Sequence, residues 1–110
     1  MTNKEFWELC GFQDVQYVDA KGNPMPGCIH HVSPDGSWGK GWYPPIDLNN
    51  LERYAIPKAI DVIMARHECS SDVAYAILFR EWLQELELNI PHLADTLKEA
   101  VGKILEVKHG

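Results

Sequence analysis

Long apolar runs are missing from this chain of 110 residues: nowhere do the roughly 18 consecutive apolar residues that a membrane-spanning helix requires occur. Nor does a positively charged start lead into an apolar stretch, so no export signal is expected. The expectation is a soluble, cytoplasmic protein with no membrane partner. Cysteine is scarce as well. Cys10, Cys28 and Cys69 are odd in number and widely spaced, which argues against the disulfide framework of a secreted mini-domain and for reduced thiols. Basic residues are outnumbered ten to sixteen by acidic ones, and the net charge of −6 repels a phosphate backbone, so nucleic acid is not the expected partner. The excess of acid leans toward the C-terminal half. Glycine motifs for phosphate are absent, since Gly36, Gly39 and Gly41 match neither dinucleotide nor P-loop spacing. No repeat or low-complexity tract is present, and no cofactor is implied.

What is there is core material. Apolar residues make up 45% of the chain, with four Trp, four Tyr and three Phe, which argues against disorder and for a single domain over residues 1–110. Asn3 is placed to cap a first helix near 3–10 carrying Phe6, Trp7, Leu9 and Cys10, with Gly11 ending it in the left-handed region. Residues 13–19 alternate as a strand, Lys21-Gly22-Asn23 is a turn, and residues 27–33 form a second strand with Cys28, His30 and Val32 on one face and Ile29 and His31 on the other. Ser33-Pro34-Asp35-Gly36 has strong turn chemistry.

Asp47 is an N-cap for a helix near 47–66 with apolar positions at Leu48, Leu51, Ala55, Ala59, Val62 and Ile63. Pro57 should kink it or start a second helix there, because proline has no N–H to donate and crowds the carbonyl of Arg53. Residues 73–88 are open to two readings. Leu78, Trp82, Leu83 and Leu86 form a helical stripe, while Val73 to Phe79 is a continuous apolar run suited to a buried strand. A two-stranded hairpin gains from a third strand, and this favours a strand from about Val73 to Trp82. After Asn89 and Pro91, an amphipathic helix is expected near 92–106, carrying Leu93, Leu97, Ala100, Val101, Ile104 and Leu105. The fold class is therefore α+β, with a short antiparallel sheet of about three strands packed among helices, α/β/α-sandwich-like.

Candidate chemistry is sparse. Cys28-Ile29-His30 and His67-Glu68-Cys69 are mirrored pairs whose residue types suit zinc, although one intervening residue is tighter than common zinc spacings. A small metal-dependent enzyme or zinc-binding protein using Cys28, His30, His67 and Cys69 is the alternative to a non-enzymatic domain; the bland account packs Cys28 as a small hydrophobe. Carboxylate pairs such as Asp14 with Asp19, or Glu85 with Glu87, read as solvated charge. The most distinctive stretch is Gly36-Ser37-Trp38-Gly39-Lys40-Gly41-Trp42-Tyr43-Pro44-Pro45. Trp38, Trp42 and Tyr43 either fold back to cap the core or form a recognition surface, and Lys40 alone supplies charge there.

Three stretches in order, Glu5-Phe6-Trp7-Glu8-Leu9-Cys10-Gly11-Phe12, Pro44-Pro45-Ile46-Asp47-Leu48-Asn49-Asn50-Leu51 through Tyr54-Ala55-Ile56-Pro57-Lys58, and Leu93-Ala94-Asp95-Thr96-Leu97, resemble the phage ABA-sandwich family. The resemblance implies a short sheet among helices and a phage or prophage origin, supports the strand after Asp72, and carries no catalytic residue. The chain departs from the family pattern in Val73 to Leu88 and in Thr96-Leu97-Lys98. The expected role is a non-enzymatic accessory or interaction domain with a protein partner; its oligomeric state is open, a homodimer included.

Overall fold

Thr2, not Asn3, caps the first helix. Its hydroxyl accepts from the Glu5 N–H while the Glu5 carboxylate accepts from the Thr2 N–H, a capping box that holds the Glu5 carboxyl below its ordinary value. Asn3 is the first residue inside the helix, where its side chain is one position too late for the exposed N–H groups of the first turn. The computed structural model describes residues 1–89 and 92–106, and these fall into two compact units that divide between Pro44 and Pro45.

In the first unit, helix α1 (Asn3–Leu9) buries Phe6 and Trp7 completely. It ends at Gly11, which has φ +101°, and a Cβ there would meet Pro34 Cγ at 2.9 Å, so both conformation and space require glycine. The sheet follows as β1 (Gln13–Val18), β2 (Pro24–Val32) and β3 (Gly39–Lys40), antiparallel in the order β1-β2-β3. Asp14 faces His31 and Val15 faces His30 across the first pair; His31 faces Lys40 across the second. The register shifts between Gln16 and Val18. The turn between β1 and β2 is closed by Asp19, whose side chain accepts from the N–H groups of Lys21 and Asn23, lowering its carboxyl below the ordinary value. The expected tight turn at Ser33 is present, with the Gly36 N–H donating to the Ser33 carbonyl at 2.9 Å. Rings run in a chain from helix to sheet: Phe6 to Trp7 at 5.1 Å, Trp7 to Phe12 at 5.2 Å, Phe12 to Tyr43 at 6.1 Å.

The second unit is helical. Asp47 caps α2 (Leu48–Asn50) through the Asn50 N–H, as expected. The chain then widens into a π-helical turn, Leu51–Ala55, in which the Ile56 N–H reaches the Leu51 carbonyl, and continues as α3 (Ile56–His67). Pro57 lies in the first turn of α3, where no N–H is needed; the break expected around it is thus made by one widened turn.

Residues 73–88 are not a strand. They belong to α4 (Ser71–Asn89), begun by the Ser70 hydroxyl accepting from the Val73 N–H, and the sheet takes its third strand from Gly39–Lys40 instead. The reason is visible in burial: Ala74 and Leu78, four residues apart, are buried on a helix that packs against α3 and α5, while Val73, Tyr75 and Phe79 are exposed. Good helix formers at Ala74, Ala76, Leu78, Arg80, Glu81, Leu83 and Gln84 lean the same way locally, and the packing decides. The last helix, α5 (Leu93–Glu106), matches its expected span and buries Leu97, Ala100, Val101 and Ile104; Leu93 is exposed. Pro91, expected to precede it as a breaker, lies outside the described residues. Buried Thr96 accepts from Trp82 Nε1 at 3.0 Å, and its hydroxyl proton is shared between the carbonyls of His92, just before α5, and Leu93. Arg66 donates to the Ile104 carbonyl near the end of α5.

Two substitutions test this packing. Trp7→Phe strands the Pro44 carbonyl, which accepts from Trp7 Nε1 at 2.9 Å, and should cost about 1–3 kcal/mol; Leu78→Ala should cost about 2–4 kcal/mol, both read as shifts in the denaturation midpoint.

Candidate functional site

Asp14, His31 and Lys40 stand in register on three adjacent strands, so their side chains leave the same face of the sheet. His31 Nδ1 lies 2.6 Å from Asp14 Oδ1, and since a carboxylate only accepts, Nδ1 carries the proton and donates. Tyr43 stacks on the His31 ring, centroids 3.9 Å apart and planes 13° from parallel. Its hydroxyl approaches the same Asp14 oxygen at 3.5 Å, the outer limit of a hydrogen bond. Desolvation first, then the charges of Asp14 and Glu8, push the Tyr43 phenol up to about 12.

The other half of the face is built by the loop before β3. Asp35 Oδ1 accepts from the Ser37 N–H, the Ser37 hydroxyl and the Ser33 hydroxyl, and the Ser33 hydroxyl accepts from the Trp38 N–H at 3.0 Å. Trp38 is held at its other end by its indole N–H, which donates to the Trp42 carbonyl at 2.9 Å. Lys40 Nζ sits 4.5 Å from the Trp38 ring centroid and 5.6 Å from that of Trp42. Trp42 is 61% exposed, the most open of the large hydrophobic side chains in the described residues.

The three loop aromatics therefore divide between the two readings of the sequence. Tyr43 turns inward onto the chain of rings, Trp38 is half-buried as a platform for Lys40, and Trp42 faces solvent. Sequence reasoning had Lys40 in the loop but missed Asp14 and His31 as its neighbours. The alternation of β1 and β2 was the available signal, yet pairing those two residues requires the register, which the shift after Gln16 hides.

Cys28 and His30 project from the opposite face of β2, where the His30 ring meets the edge of Tyr17 at 4.3 Å and its Nδ1 is buried without a hydrogen-bond partner. His67 closes α3, and the Cys69 thiol approaches the Ile63 carbonyl at 4.0 Å. Among the described residues no three His, Cys, Asp or Glu side chains gather where they could hold a metal ion. Of the carboxylate pairs, Asp14 bonds His31 and Asp19 closes its turn, while Glu85 bonds Lys103 on α5. No helix among the described residues is long and apolar enough to cross a membrane.

No family model, curated protein or solved structure matches this chain.

The raised phenol has a readable consequence. A tyrosine held neutral by its folded surroundings contributes stability that is present below its unfolded value near 10 and is lost as pH rises toward the folded value of about 12. Phenolate absorbance, taken as the difference between the wild type and Tyr43→Phe, should rise near pH 12, and the wild-type denaturation midpoint should fall more steeply than the variant's between about pH 10 and 12.

Proposed function

We propose that this chain is a non-enzymatic accessory domain of phage or prophage type, working in the cytoplasm, that binds another protein through the Trp42 side of its sheet face. The observation that carries the reading is Trp42 itself: a large indole left 61% exposed beside a lysine cation, on a loop whose other side chains are tied down. An ordered loop loses little freedom on binding, and a rigid aromatic offers large contact area for few rotamers. The neighbouring exposed side chain of Ile29, on the same face as His31, extends the apolar part of the surface. Lys40 favours a partner with a carboxylate next to an apolar side chain. The net charge of −6 speaks against a polyphosphate partner. The phage assignment rests on the sequence resemblance, whose stretches supply the buried Phe6, Trp7, Pro44 and Leu51.

The test separates recognition from packing. Trp42→Ala should leave stability within about 1 kcal/mol, because the side chain is mostly in water, and should weaken binding to a partner isolated with the wild-type protein at least about tenfold. A large loss of stability, or unchanged binding, would remove Trp42 from the contact.

A further inference from the structure

Helix α4 is apolar on two sides. One side, with Ala74 and Leu78, is buried against α3 and α5; the other leaves Val73 48%, Phe79 55% and Leu83 45% exposed. A helix covered on one side only normally turns charge outward. These three side chains together expose on the order of 300 Å² of apolar surface, which is at the scale where a patch usually has a partner. Tyr75, on the flank, belongs instead to a 420 Å³ groove that it lines with Leu48, Ile56, Trp82 and Leu97.

We propose that the partner is a second copy of this chain, paired antiparallel along α4 about a two-fold axis at Ala76. The charges on this face select that occupant. Asp72 and Arg80 are both exposed, neither has an ion-pair partner among the described residues, and each lies four residues from Ala76 on opposite sides. Being about 12 Å apart along one helix, they are too distant to pair within the chain. A two-fold rotation at Ala76 brings Asp72 of each copy to Arg80 of the other, twice, and sets Val73 against Phe79 twice. The surface is self-complementary in charge and in apolar contact, as a closed symmetric interface requires. The small side chain at the axis lets the two helices approach closely. An anionic lipid or nucleic-acid surface would meet Asp72 and Glu87 on a chain of net charge −6 and be repelled.

Such a contact covers roughly 1,000 Å² in total, at the low end for a specific complex, so a reversible, concentration-dependent dimer is expected. Sedimentation of the full chain from about 1 to about 200 μM tests it directly. The wild type should pass from monomer to dimer, and Phe79→Glu should remain monomeric with unchanged helical circular dichroism. Asp72→Arg and Arg80→Asp should each weaken dimerisation at least about tenfold, while the double reversal returns it to within about threefold of the wild type. Should Phe79→Glu unfold, the charge reversals alone decide. A wild type that stays monomeric throughout, a folded Phe79→Glu that still dimerises, or a double reversal no better than the singles overturns the proposal.

Discussion

A buried indole N–H has to find an acceptor, and in this protein Trp7 finds the carbonyl of Pro44 at 2.9 Å, thirty-seven residues along the chain. That bond ties the first helix to the end of the aromatic loop, with Pro44 buried beside it. Phe12 and Tyr43 follow in ring contact, so the loop returns across the sheet at one place and not another. The position of Tyr43 over His31, and through His31 the orientation of Asp14, descend from this constraint.

What results is a sheet face with unlike halves. On one side the ring stack and the Asp14–His31 bond are half-enclosed, and the Tyr43 phenol is held neutral there by desolvation and nearby carboxylates. On the other, Asp35 organises the loop through three hydrogen bonds, and the indole of Trp42 stays in water. The division follows from hydrogen bonding: Trp38 has an acceptor in the Trp42 carbonyl, and using that carbonyl fixes the backbone from which the Trp42 side chain projects.

The helical unit solves a different problem. Pro57 has no N–H to give, and the widened turn from Leu51 to Ala55 lets the helix restart with the proline in its first turn. Thr96, itself buried, is made acceptable by the Trp82 indole and by the carbonyls of His92 and Leu93 at the start of its helix. Thr96 in the helical unit, like Trp7 and Asp35 in the first, is thus placed by what it bonds to.

Short-range physics was legible in the sequence. The cap at Asp47, the end of the first helix at Gly11, the turn at Ser33–Gly36, the break at Pro57, the span of the last helix and the α+β class depend on a few neighbouring residues, and each could be argued from residue type and spacing. The cap at Thr2 could have been read the same way, from the glutamate three residues on. What only the tertiary structure decided was set by distant partners. Val73 to Phe79 can serve a strand or a helix by composition, and the packing of Ala74 and Leu78 against α3 and α5 selects the helix. Asp14, His31 and Lys40 are far apart in the chain; they become neighbours only because strand register, offset by the irregularity after Gln16, brings their positions opposite one another.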